Sequence, residues 1–151
     1  MMSFDLRPFE GAAPILFGMP KVNVVGLIGP PKVAGGADDS WGPHLEINIG
    51  YGNDGRVNHL GFSPGEFELR LSGALIWNAT EHEDPNPMFL QLDPEPVERV
   101  GFLVFRKLGL TTTGYHDDDP SQYAITAFPP GAWDKELTKA KPPHLTKYGI
   151  T

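Results

Sequence analysis

No cysteine occurs in the 151 residues, which excludes disulfide frameworks, thiolate zinc sites, cysteine nucleophiles and the cysteine of a lipoprotein anchor. Long apolar runs are also missing, and the longest fall far short of the roughly 20 residues a membrane span needs. Asp5 and Glu10 interrupt the first residues and no basic start precedes an apolar run, so no secretory signal is expected. Basic charge is scarce: 12 Lys and Arg stand against 19 Asp and Glu, a formal charge of −7. That sign disfavours nucleic acid or an anionic membrane as partner and leaves a basic protein open. Catalytic signatures are equally sparse. Ser63-Pro64-Gly65 is not a nucleophile elbow, and Gly26, Gly29, Gly35 and Gly36 lack both the Lys-Ser/Thr of a phosphate loop and dinucleotide spacing. Asn78-Ala79-Thr80 is a glycosylation sequon without consequence where no secretory signal is expected. These absences predict a soluble, cytoplasmic protein that is not an enzyme and needs no cofactor or metal.

Turn chemistry, in contrast, is abundant, with 18 Gly and 16 Pro. Many turns and few long helices follow. About a quarter of the residues are Leu, Ile, Val or Phe, enough for a core, and the length predicts one domain over 1–151. Met1 to Pro14 reads as an irregular lead-in broken by Pro8 and Pro14. A short helix is predicted from Pro20, with Val22, Val25 and Leu27 or Ile28 at helical spacing and a stop at Gly29-Pro30-Pro31. Val33 to Pro43 reads as a loop. Leu45, Ile47, Ile49 and Tyr51 then alternate as one face of a strand, Gly52-Asn53-Asp54-Gly55 turns the chain, and Val57 to Phe62 returns. Phe67, Leu69 and Leu71 mark a third strand antiparallel to the second, with Ala74 to Trp77 continuing it past a bend at Gly73.

Asn78 to Pro87 reads as a polar linker dividing the chain. Beyond it, Asp93-Pro94 is a helix start, and Val97, Val100, Val104 and Leu108 follow at helical spacing up to Gly109. A buried strand over Phe102 to Phe105 is the competing reading, since the apolar run is short and rich in β-formers. Leu110 to Tyr115 and Tyr123 to Phe128 read as two strands around a loop. The expected class is α+β: an antiparallel sheet with helices on one face, in two tandem αβ units at about 15–77 and 88–128, with a proline-rich tail at 129–151.

The segment Phe17-Gly18-Met19-Pro20-Lys21-Val22-Asn23-Val24-Val25-Gly26-Leu27-Ile28-Gly29-Pro30-Pro31 resembles the helix signature of the small lipoprotein of the outer-membrane barrel-assembly machinery and of the β-lactamase inhibitor protein fold. Gly18-Met19 opens the helix, Val25 lies within it and Ile28-Gly29-Pro30-Pro31 closes it. Pro20 stands where the pattern has a capping Ser or Thr, and Asn23 where it has an acidic residue. The resemblance spans about 45 residues, from Ile15 to Phe62. It implies an antiparallel sheet with helices on one face that binds protein without chemistry of its own. The cytoplasmic proteins expected to share this outline are bacterial immunity proteins, small acidic inhibitors of a cognate toxin.

Two acidic loops are the candidate partner-binding residues: Glu81, Glu83 and Asp84 in one, Asp117, Asp118 and Asp119 in the other. Residues 81–119 hold nine acids and three bases, a charge of −6, which suits steering of a basic partner such as a toxin domain. Trp77 and Tyr115 are the expected aromatic anchors. The bland reading is that both loops are solvated turns. Three consecutive aspartates repel, so a neighbour should offset them if they are held close. His82 and His116 with nearby carboxylates carry the alternative of a small metal-dependent or hydrolytic enzyme, and an assembly adaptor is a third reading. The spacing matches no EF-hand loop. His59 reads as structural, and Trp41 and Trp133 as core lids with exposed hot spots as the alternative. The tail, with Lys135, Lys139, Lys141 and Lys147 against Asp134 and Glu136, is expected to lie back over the acidic half.

Overall fold

Two-residue periodicity recurs from one end of the chain to the other, and its consequence is two sheets. A computed structural model describes residues 1–36 and 38–150, among which there are twelve strands and three α-helices. In chain order these are β1 (Ser3–Arg7), β2 (Gly11–Ala13), β3 (Ile15–Leu16), α1 (Lys21–Ile28), β4 (Asp38–Trp41), β5 (Ile47–Tyr51), β6 (Val57–Phe62), β7 (Glu68–Leu71), β8 (Ala74–Trp77), α2 (Asn86–Leu92), β9 (Val97–Arg99), β10 (Phe102–Phe105), β11 (Leu110–Thr113), β12 (Ala124–Ala127) and α3 (Asp134–Leu137). A five-stranded sheet has the order β3-β2-β1-β7-β8 and a seven-stranded sheet the order β4-β5-β6-β12-β11-β10-β9. No described helix is long and apolar enough to cross a membrane.

The register of the seven-stranded sheet explains what each face does. One row crosses every strand as Trp41, Ile47, Phe62, Ile125, Thr112, Leu103 and Glu98. A second row on the same face runs Asp39, Ile49, Leu60, Ala127, Leu110 and Phe105. Because side chains alternate along a strand, the residues between them face the other way. That opposite row reads Ser40, Asn48, Gly61, Thr126, Thr111, Val104 and Val97, mostly small or polar.

Three elements cover the apolar face. At one end α1 is tied down by Lys21, whose Nζ lies 2.9 Å from the buried Asp39 carboxylate. In the middle sits the five-stranded sheet: Phe4 of β1 and Phe67, just before β7, pack on Phe62 with ring centroids 5.1 and 5.7 Å away. At the far end α2 inserts Phe89 against Phe105, edge to face at 5.4 Å. The α+β class is thus present, with α1, α2 and a second sheet on that face and α3 on the other, beside Phe102 and Arg99.

Several local expectations are corrected. The lead-in is ordered as β1 and β2, and β7 pairs in parallel with β1 instead of antiparallel with β6. β8 does not prolong β7 but folds back on it through Ser72 and Gly73, both at positive φ. Asp38–Trp41, within the expected loop, forms edge strand β4. The helix expected after Asp93 lies before it: α2 uses Asn86-Pro87 at its start, and Asp93 ends it. The competing strand reading of 102–105 holds, because Val100 and Gly101 adopt φ of 49° and 80° and turn β9 directly into β10. Nor does the polar stretch Asn78 to Pro87 separate two sheets, since β6 and β12, one from each half, are neighbours.

Candidate functional site

The loop between β11 and β12 is built to hold its aspartates in place. Gly114, at φ 86°, lets the chain double back so closely that a Cβ there would lie 2.5 Å from the Asp119 carbonyl oxygen, and only glycine fits such a turn without strain. Asp119 then caps a single 3-10 turn, accepting from the Ser121 amide at 3.2 Å and its hydroxyl at 2.6 Å. Asp118 stands at φ 54° and accepts from Lys147 Nζ at 2.6 Å. These contacts offset two of the three adjacent charges. Asp117 is exposed and lines a cleft.

That cleft, of about 500 Å³, opens on the polar face of the seven-stranded sheet. Its floor includes Thr113, Ala124 and Thr126, and its walls are the acidic loop on one side and the β9–β10 turn on the other. Val100 stands in that turn, 71% exposed and in the left-handed conformation. A β-branched residue is strained there, and hairpin turns of this kind favour Asn or Gly. Val100 is thus an exposed, strained side chain lining the same cleft as Asp117. Helical spacing shared with Val97 and Val104 puts Val100 on the apolar face of a helix and so conceals its exposure.

The two acidic loops come together at this end through the tail. Tyr148 donates its hydroxyl proton to Asp84 and accepts from Asn86 Nδ2 at 2.9 Å, while Thr112 donates to Asn86 Oδ1 at 2.7 Å. This relay completes the row in which Thr112 replaces an apolar residue. Burial, and then the nearby Asp84 carboxylate, push both Tyr115 and Tyr148 well above the ordinary tyrosine range. Lys147 is held above its usual range by its bond to Asp118, with Asp84 adding to the effect. The expected fold-back of the tail is therefore real, at Lys147 in particular. Its other anchors are an Arg99–Glu136 ion pair of 2.7 Å, which lowers the Glu136 carboxyl, and a backbone pairing of Lys141 with Glu98.

The predicted residues divide accordingly. Glu81, Glu83, Asp117, Asp118 and Asp119 are exposed. Asp84 is half-buried and already occupied by the Asn86 amide and Tyr148. Trp77 is fully buried and donates to the Glu83 carbonyl at 2.8 Å, so it supports the acidic loop from beneath and is no surface anchor. Tyr115 is buried too, stacked on Tyr123 with centroids 4.1 Å apart. Burial of both aromatics corrects the expectation that they anchor a partner.

His82 bonds through Nε2 to the Gly65 carbonyl at 2.7 Å, whereas His116 lies against Glu98 at 3.9 Å, too far for a hydrogen bond. Among the described residues no group of three or more His, Asp or Glu is placed to hold a metal ion. Trp41 is buried and Trp133 packs on Phe102 and Phe128, both as core lids. No protein-family model, curated protein or solved structure matches the chain.

Proposed function

We propose that this protein is an immunity-type inhibitor that binds the basic face of a cognate bacterial toxin domain through its acidic loops, without a cofactor. The observation that carries the reading is convergence. Two loops more than thirty residues apart in sequence meet around Lys147 and Tyr148, and Asp117 and Val100 flank one cleft. A carboxylate on one wall and an exposed apolar side chain on the other suit a long basic side chain, whose methylene stem packs on Val100 while its charge meets Asp117. The net charge of −7 raises the rate of encounter with a basic partner. The docked contacts set how long the complex lasts.

The test is capture from the native host with the purified protein as bait, followed by kinetics with the purified partner. The expected partner is basic, is toxic when expressed alone and is neutralised by co-expression. Association should slow as salt rises, and replacing Glu81, Glu83, Asp117 and Asp119 by their amides should slow it about tenfold at low salt. A partner whose toxicity persists on co-expression, or an association rate indifferent to both salt and the four substitutions, would sink the reading.

A further inference from the structure

The acidic loop already holds a cation, and that cation is the chain's own. Lys147 Nζ donates to the Tyr115 carbonyl and, at 2.6 Å, to Asp118 Oδ1. A primary ammonium presents three donors, and this seat meets it with a carbonyl and a carboxylate, with Asp84 close enough to act on its charge. The residue that fills the seat comes from a segment that begins at Pro142-Pro143 and plugs Leu145 into the core. Within that segment the amides of Tyr148, Gly149 and Ile150 bond only to Thr146 and Leu145. It is therefore a strap, joined to the rest of the molecule chiefly by side chains.

Next to the seat, two buried side chains lack partners. The strap leaves the sheet where Lys141 pairs with Glu98, whose carboxylate lies 3.9 Å from His116, and reaches the loop at Lys147. The His116 side chain is 4% exposed, and neither ring nitrogen has a hydrogen-bond partner; the Tyr115 hydroxyl is buried and unpaired as well. Buried polar groups left unpaired work against the state that buries them. The strap's own anchors are Leu145 in the core, Tyr148 on Asp84 and Asn86, and Lys147 in the seat. A segment so held belongs among the elements that open well below the cost of global unfolding.

We infer that the Tyr115–Asp118 seat is a lysine-binding subsite for the partner, and that the strap Pro142–Ile150 occupies it until a partner's lysine displaces Lys147. The inference rests on the proposed inhibitor reading and names the side chain its partner must present. While the strap is closed, apparent affinity for a lysine is reduced by the fraction of molecules with the seat open. Lys147 thereby sets a threshold that isolated lysines in solution do not cross and a clustered basic surface does.

Fluorescein-labelled octalysine is the probe, read by anisotropy with the full chain at low salt. Lys147→Ala should bind it about five- to tenfold more tightly than the natural sequence. Asp118→Asn should bind it several-fold more weakly than Glu10→Gln, a variant with the same charge change away from the loop, and the Lys147→Ala/Asp118→Asn double variant should match Asp118→Asn. Hydrogen exchange supplies the second readout. Octalysine should speed exchange at the Tyr148, Gly149 and Ile150 amides of the natural protein without speeding it in β5 or β6. Unchanged or weaker binding by Lys147→Ala, or octalysine bound with those three amides still protected, overturns the inference. Because the probe is a peptide, these outcomes stand apart from whether a toxin is ever captured.

Discussion

At the scale of single residues, the acidic end is held by a short relay of polar side chains. Asn86 sits at its centre: fully buried, it accepts from Thr112 and donates to Tyr148, which in turn donates to Asp84. Removing the amide strands the buried Thr112 hydroxyl and loosens Tyr148 together. Asn86→Ala should cost about 2 kcal/mol in urea unfolding, within the range for a buried donor left without an acceptor. A loss under about 0.5 kcal/mol would mean that water replaces the amide and the relay is dispensable. Asn86 was not legible as a structural residue in the sequence, where it stands in a run of polar and proline residues that reads as a linker. The aspartates were legible as a cluster; the Ser121 amide that meets Asp119 lies in the same loop, whereas Lys147, which meets Asp118, became visible only with the tail in place.

Among the elements, the β9–β10 hairpin shows the clearest conflict between local stability and position. A valine at positive φ is a poor turn residue, yet Val100 projects at the rim of the cleft. Val100→Asn should stabilise the hairpin by about 1 kcal/mol, because asparagine tolerates the left-handed conformation and pairs well with Gly101. The same variant should dissociate faster from the basic partner, having lost the apolar rim. Denaturant melts and dissociation rates measured on one preparation check both signs. A stabilised variant with unchanged dissociation removes Val100 from the contact surface. The spacing of Val97, Val100, Val104 and Leu108 fits a helix as well as two short strands, and an apolar run of this length cannot distinguish them. Pairing with β11 decides it, since Leu103 and Phe105 complete inner rows that a helix would leave open.

For the whole molecule, the tyrosines link the two ends of the seven-stranded sheet to pH. Tyr51, beside α1, is pushed up to about 12 by burial and then by Asp39. Tyr115 and Tyr148, at the acidic end, are raised by burial first and Asp84 after it. Each folded-state pKa lies above the unfolded value near 10, so the contribution to stability is complete below about pH 10 and is lost as pH rises through the folded values. Lys147, raised by Asp118, follows the same direction. The urea midpoint should therefore hold steady from neutral pH to about 10 and fall beyond it, with tyrosinate absorbance appearing as the fold is lost. Tyr148→Phe should shorten that alkaline fall. A midpoint unchanged between about pH 9 and 12 would contradict the assignment of these groups.

The amino-acid sequence by itself determined the class and much of the strand pattern. Alternation from Ile47 to Tyr51, the Asn-Asp-Gly turn and the proline-stopped helix at Lys21–Ile28 are local signals, and these elements formed, although Leu45 stays outside its strand at positive φ and α1 buries Val24 instead of Val22 and Leu27. Acidity and the position of both loops were likewise plain. Only the tertiary structure decided which strands share a sheet, because β1 with β7 and β6 with β12 are pairings between distant segments that no local pattern encodes. It also decided that Trp77 and Tyr115 go inside. An aromatic residue next to an acidic loop has the same sequence signature whether it anchors a partner or supports the loop from below, and here both rings are buried, where their large apolar area is removed from water.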